Sequence, residues 1–96
     1  MAEKIMTRHP QGKQGVNIDR DKYDAIKSAI LETIDTKQTV TFKDLTTTVN
    51  DRLRSTFDGG VTWYVVTVKL DLEAQGLIER VPKSSPQILR LTRKHD

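Results

Sequence analysis

The chain of 96 residues contains no cysteine, which excludes disulfide bonds and thiolate chemistry. It also lacks a signal-peptide pattern and an apolar run long enough to cross a bilayer, so we expect a cytoplasmic location and no membrane partner. Hydrophobic residues make up 35% of the chain and charged residues 30%, which is typical of a globular protein. At this length we expect one domain with a single modest core.

Histidine is scarce as well, and neither copy lies in a pattern that supports catalysis. His9 lies in a stretch with Pro and Gly near the start, and His95 is next to the last residue. No Cys, His or Asp cluster has metal-site spacing, and no serine lies in a nucleophile motif. The stretch Gly12-Lys13-x-Gly15 lacks the spacing of a P-loop. We therefore predict that the protein is not an enzyme and has no catalytic residue, cofactor or metal ion.

The net charge is only +3, but it is distributed unevenly along the chain. Residues 1–22 carry five basic and three acidic side chains, residues 23–76 carry six and eight, and residues 77–96 carry five and two. The ends are therefore basic, by +2 and +3, and the centre is acidic, by −2. An anionic partner would meet the two ends of the chain first.

Three segments repeat apolar residues at the three- and four-residue spacing of a helix, and they predict helices near residues 20–36, 42–54 and 62–75. The third segment is also rich in strand formers, so a strand is the competing interpretation there. The three apolar stripes are Tyr23, Ile26, Ile30 and Ile34; Leu45, Val49 and Leu53; and Val61, Val65, Val68 and Leu72. We expect a core whose buried residues are Ile26, Ile30, Leu45, Val49, Val65, Val68, Leu72 and Ile78.

Capping residues define the helix ends. Asp19 is the predicted N-cap of the first helix, and Thr62 can cap the third. Thr41, with Asp44 three residues later, matches a capping box at the second helix. Gly76 can take the left-handed conformation that ends the third helix.

Strands near 77–81 and 87–91 follow, joined by a turn that Pro82 and Pro86 bound. A short β-branched stretch over 39–41 predicts a third strand. The order of elements predicts an α+β fold, a winged helix-turn-helix with three helices, a C-terminal β-hairpin wing and the short third strand. We expect an N-terminal arm over 1–17, flexible or partly packed, a winged-helix domain over 18–92 and a basic tail over 93–96.

Several longer strings are unusual enough to compare with known families. They are His9-Pro10-x-Gly12-Lys13-x-Gly15-Val16, Lys22-Tyr23-Asp24, Trp63-Tyr64, Val68-Lys69-Leu70-Asp71-Leu72-Glu73-Ala74 and Ile78-Glu79-Arg80-Val81-Pro82-Lys83-Ser84-Ser85-Pro86-Gln87. Through these strings, residues 8–92 resemble an uncharacterised family of short bacterial proteins. The resemblance implies a small winged-helix-like fold, and it brings no assigned activity.

Basic and hydroxyl side chains gather in the hairpin and tail, where they suit contacts to a nucleic-acid backbone. A solvated basic surface is the alternative interpretation. The candidate contact residues are Arg80, Lys83, Ser84, Ser85, Arg90, Arg93 and Lys94.

The outward face of the third helix offers no Arg, Lys, Asn or Gln near its start, which is unusual for a helix that reads bases. We expect Asp58 and Asp71 to repel phosphate. The apolar side chains of this face either form a protein interface or lie in the core, covered by the first helix or the arm. The candidate interface residues are Trp63, Tyr64, Thr67 and Leu70.

Two functions follow from these patterns. One is weak, sequence-tolerant binding to the nucleic-acid backbone, or a place in a regulatory nucleic-acid complex. The alternative is a protein–protein interaction module or homodimer that keeps a winged-helix fold without DNA readout.

Overall fold

The computed structural model describes residues 3–8, 15–55, 57, 60–83 and 86–92. Within these residues the fold is α+β, as predicted, with three helices and two small antiparallel sheets. In chain order the elements are β1 (Lys4–Met6), β2 (Asn17–Asp19), α1 (Arg20–Lys37), β3 (Thr39–Thr41), α2 (Phe42–Leu53), α3 (Val61–Ala74), β4 (Ile78–Arg80) and β5 (Ile88–Leu91).

The three predicted helices are confirmed, and each begins and ends within one residue of its predicted bounds. Asp19 occupies the N-cap of α1, but its side chain makes no capping hydrogen bond. The Thr41 hydroxyl accepts a hydrogen bond from the Asp44 amide at 3.1 Å, so this cap is confirmed. The predicted Thr62 cap is wrong, because α3 begins at Val61 and has Gly60 as its N-cap. Val61 is buried, so the apolar stripe extends to the first helical residue.

Gly76 ends α3 as predicted, with a φ of 77°. The Gly76 amide donates to the Glu73 carbonyl at 3.1 Å, and the Leu77 amide donates to the Leu72 carbonyl at 3.0 Å. This pair of bonds is the Schellman arrangement, which satisfies carbonyls that the helix end would leave unpaired. It also turns the chain directly into β4.

The C-terminal hairpin and β3 form one sheet in the order β3-β5-β4. Leu89 lies at the centre of this sheet, opposite Val40 on one side and Arg80 on the other. The strands are slightly shorter than the predicted ranges 77–81 and 87–91. Main-chain bonds nevertheless continue the pairing at both ends, from Thr92 to Leu77 and from Val81 to Ile88.

The N-terminal segment, described over residues 3–8 and 15–19, contains a hairpin that the sequence patterns do not predict. β1 pairs antiparallel with β2, so that Ile5 lies opposite Ile18. Ile18 belongs to the core and Ile5 packs against it. The tail over 93–96 and the stretch over 9–14 lie outside the described residues.

One hydrophobic core joins the helices to the sheet, and all eight predicted core residues are buried in it. Leu53 packs against this core from its edge. α1 crosses both α2 and α3, and it also contacts β3 and β5. In the part of the chain that is described, no helix combines the length and the apolarity needed to cross a membrane.

Candidate functional site

α3 turns its apolar stripe into the core and presents the opposite side outward. We call this side the α3 face and define it as Thr62, Trp63, Val66, Thr67 and Leu70. Trp63 is 51% exposed and Val66 is 37% exposed, whereas Thr67 and Leu70 are half-buried. The α3 face therefore carries an exposed aromatic residue and no charged residue.

Aromatic rings support Trp63 from one flank of α3. The Trp63 and Tyr64 rings meet edge to face, with 4.9 Å between centroids, and Tyr64 meets Phe57 in the same way at 5.0 Å. The Lys22 ammonium lies 5.4 Å from the Tyr64 centroid and 5.7 Å from that of Phe57. This geometry holds the rings in place and puts a cation beside them.

The ends of the N-terminal segment lie against the α3 face. An open cavity of about 150 Å³ is lined by Thr7, Arg8, Gly15 and Val16 together with three residues of that face. These three are Trp63, Thr67 and Leu70. The Thr7 amide donates to the Val16 carbonyl at 2.9 Å, and the Val16 amide donates to the Thr7 hydroxyl at 3.0 Å.

Gly15 permits this close approach. A Cβ atom at this position would lie 1.7 Å from the Thr7 carbonyl oxygen, which no side chain can tolerate. Glycine is therefore required here for space, because the two backbones touch. This contact gives a physical reason for the second glycine of the Gly12-Lys13-x-Gly15 string.

Asp71 attaches the N-terminal segment to α3. Its carboxylate accepts hydrogen bonds from the Arg8 amide at 2.8 Å, from the Gln75 side-chain amide at 2.6 Å and from the Tyr23 hydroxyl. Burial, followed by the hydrogen bond and charge of Asp71, raises the pKa of Tyr23 to about 12. Asp71 is only 1% exposed and its carboxylate oxygens are hydrogen-bonded within the domain, whereas Asp58 lies outside the described residues. Repulsion of phosphate by these two residues stays a prediction.

A second polar cluster holds the C-terminal hairpin against the other flank of α3. Glu73 binds Lys69 at 3.1 Å and Arg80 at 2.7 Å, and Lys69 also donates to the Gln87 side chain at 3.1 Å. The Lys69 ammonium lies 5.1 Å from the centroid of the Phe42 ring. Burial lowers the pKa of Lys69, and the nearby Glu73 opposes that shift. The only basic residue of α3 is thus occupied inside the domain.

The candidate nucleic-acid contacts do not form one described surface. Arg90 lies directly opposite Glu79 and binds it at 2.6 Å, whereas Arg80 binds Glu73. Arg80 follows Glu79 in the strand, so Arg80 and Arg90 point to opposite faces of the sheet. Lys83 is exposed, with a φ of 61°. The remaining candidates, Ser84, Ser85, Arg93 and Lys94, lie outside the described residues.

The candidate interface residues are partly brought together. Trp63, Thr67 and Leu70 line the same cavity, whereas Tyr64 turns toward Phe57 on the flank. The sequence patterns missed two neighbours of this surface, Arg8 and Lys22. Both occur in or beside the strings that carry the family resemblance, but nothing in their spacing links them to α3.

The fold and the site together define a small α+β domain. One of its helices has an apolar outer face with polar contacts on both sides. The chain belongs to a family of unknown function, DUF6958, whose model matches residues 4–89, and this confirms the resemblance to an uncharacterised family. Comparison with curated proteins and with solved structures gave no match. Among the described residues, no three metal-ligating side chains are grouped so that they could hold an ion.

Proposed function

We propose that the domain is a winged helix that works as a protein-interaction module, with the α3 face as its docking surface. The order of elements supports the winged-helix assignment, because a helix, a short strand, two helices and a hairpin follow one another. The sheet order β3-β5-β4 supports it as well. α3 then takes the position of the recognition helix, and the hairpin β4–β5 that of the wing.

The composition of the α3 face carries this proposal. A helix that reads bases offers Arg, Lys, Asn or Gln to the groove, and the α3 face has none of these. Instead, Trp63 is half exposed on a rigid helix with its ring braced by Tyr64. Tryptophan is enriched among the residues that dominate protein–protein binding energy, since it buries a large area and keeps one N–H donor.

Sequence-tolerant binding to a nucleic-acid backbone is the second candidate, and Lys83 favours it. This side chain is exposed at the turn of the wing, where it can approach a phosphate. Arg80 and Arg90 support the candidate less strongly, because each already binds a carboxylate of the domain.

A selection from a displayed library of random helical peptides tests the proposed function. We expect enriched peptides to bind the wild-type domain and to lose binding to Trp63→Ala and to Val66→Gln. Thr47→Ala, at an exposed position on α2, is the matched control and should bind like the wild type. Thermal melting of each variant checks that it is folded. If Trp63→Ala does not fold, Val66→Gln still tests the α3 face.

Peptides that bind all these variants equally, or no enrichment at all, would overturn the proposal.

Mixed duplex DNA at low salt tests the second candidate. Binding that weakens in Lys83→Ala and falls steeply with salt, with no effect of Trp63→Ala, would favour backbone contacts instead.

A further inference from the structure

We infer that the partner of the α3 face is an acidic, amphipathic protein segment that places an apolar side chain beside Trp63 and carboxylates against surrounding cations. This inference rests on the proposed function and adds the chemistry of the partner. Its basis is the charge around the α3 face, which has the same sign on both flanks.

On the first flank, two cations lie beside Trp63. Arg8 is exposed and lines the same cavity as Trp63, and its backbone is held in place by the bond from its amide to Asp71. Lys22 contacts the Tyr64 ring, which in turn contacts the Trp63 ring. Asp71 brings the net charge of this flank to +1, but its carboxylate is buried beneath three hydrogen bonds, so a partner meets the two cations.

On the second flank, the cluster of Lys69, Glu73 and Arg80 has two cations and one carboxylate, and therefore a net charge of +1. The side chains of Lys69 and Glu73 are 5% and 8% exposed, whereas that of Arg80 is 50% exposed. The member of the cluster that a partner meets is therefore Arg80. Among the described residues, the rim of the α3 face thus presents Arg8 and Lys22 to a partner, and Arg80 contributes less because it already binds Glu73.

The apolar part of the surface indicates which side chain the partner contributes beside its carboxylates. The cavity between the N-terminal segment and α3 measures about 150 Å³, which is roughly the size of a cavity that holds a benzene ring. Val16 and Leu70 line it beside Trp63. One leucine- or phenylalanine-sized side chain therefore fits the site, and a helix places carboxylates one turn away from such an anchor.

A second copy of the chain fits this surface poorly. In a two-fold dimer the same patch meets itself, so a rim of cations would face another rim of cations. Like charges held together across an interface disfavour association. The phosphates of a nucleic acid would pair with the cations, but a phosphate backbone offers no apolar contact to Val16, Val66 and Leu70. An acidic segment satisfies both the cations and the apolar residues.

Three synthetic peptides test the inference. Each is a 16-residue amphipathic helix with the same Leu and Phe face, and the polar positions are all Glu, all Gln or all Lys. Trp63 is the only tryptophan of the chain, so its fluorescence reports directly on the α3 face. We expect the Glu peptide to bind about tenfold more tightly than the Gln peptide at low salt, because two or three exposed ion pairs contribute. Added salt should reduce the difference.

Charge-reversal variants locate the contacts. Arg8→Glu and Lys22→Glu should each weaken binding of the Glu peptide severalfold and leave the Gln peptide unchanged. Lys37→Glu makes the same charge change at the far end of α1 and should have no effect. Circular dichroism of each variant checks the fold.

The outcomes separate this inference from the proposed function. Equal binding of Glu and Gln peptides, lost in Trp63→Ala, would overturn the acidic partner and keep the interaction module. Absence of Trp63-dependent binding by any peptide would overturn both. Stronger quenching by a mixed single-stranded oligonucleotide than by the Glu peptide would overturn both in favour of base stacking on Trp63.

Discussion

Replacing Asp71 with alanine should release the N-terminal segment from α3. The Asp71 carboxylate accepts bonds from Arg8, Tyr23 and Gln75, which lie on the N-terminal segment, on α1 and at the end of α3. Asp71→Ala removes the only group that these three donors share. The Arg8 amide then loses its link to α3, and the buried Tyr23 hydroxyl loses its acceptor.

The cost follows from the exposure of each donor. A hydrogen bond to a charged group contributes about 1.5–3 kcal/mol, and a buried donor left without an acceptor costs about 1–3 kcal/mol. Gln75 is exposed and can bond to water instead, so it adds little. Because the contributions overlap, we expect a loss of about 2–4 kcal/mol in the free energy of unfolding. In a domain of this size that loss lowers Tm by about 10–25 °C.

Two measurements check the prediction. Urea unfolding followed by Trp63 fluorescence gives the free energy, and hydrogen exchange gives the protection of the Arg8 amide. We expect Asp71→Ala to abolish that protection while the central amides of α2 keep theirs. Asp71→Asn, which retains one acceptor oxygen, should lose less stability. A loss below about 1 kcal/mol, or an Arg8 amide as protected as in the wild type, would show that Asp71 does not hold the segment.

The remaining predictions concern the same attachment. Gly15→Ala should open the contact with Thr7 and expose the N-terminal segment to protease, because the new Cβ would overlap the Thr7 carbonyl. Gly60→Ala is the control, because a Cβ there meets nothing within 4 Å, and it should be cut no faster than the wild type. The pKa of Tyr23 rises from 10.0 to about 12 on folding, so its contribution to stability is full below pH 10 and is lost as the pH rises toward 12. In urea unfolding over this range, Tyr23→Phe should flatten the decline, and an unchanged decline would contradict the shift.

The helices and the core could be predicted from the sequence because both depend on periodicity. Val65, Val68 and Leu72 recur at helical spacing within a segment rich in strand formers, and the spacing decides the outcome. Strand propensity is the weaker guide, because it mainly reflects how a side chain packs on a sheet. Gly76 ends α3 as predicted, because the need for a positive φ is a local property of the chain.

The hairpin of β1 and β2 could not be predicted, because each strand has only three residues and their partners are far apart in sequence. Neither strand carries an alternation long enough to register as a pattern. Their pairing is supported by contacts from elsewhere, such as Asp71 binding the Arg8 amide across 63 positions of the sequence. Such a contact has no signature in a local window.

The residues on the flanks of α3 show why a helical projection alone does not identify a functional surface. A helical projection of α3 puts Asp71, Lys69 and Glu73 at the sides of the helix, but it cannot show what packs against them. The described structure buries all three side chains, one against the N-terminal segment and two beneath the C-terminal hairpin. A polar residue at the side of a helix is therefore not necessarily a surface residue, because its partners can lie on other elements, here on α1, β4 and the N-terminal segment.

The same contacts explain why α3 is poorly suited to read bases. Lys69 and Gln75 are the only side chains of α3 and its C-cap that belong to the Arg, Lys, Asn and Gln set. Both are used inside the domain, Lys69 by Glu73 and Gln75 by Asp71. Releasing Lys69 toward a phosphate would weaken the ion-pair cluster that holds the C-terminal hairpin, because Glu73 would keep only Arg80. What remains exposed on α3 is therefore Trp63 and its apolar neighbours, and this is the surface on which the proposed function depends.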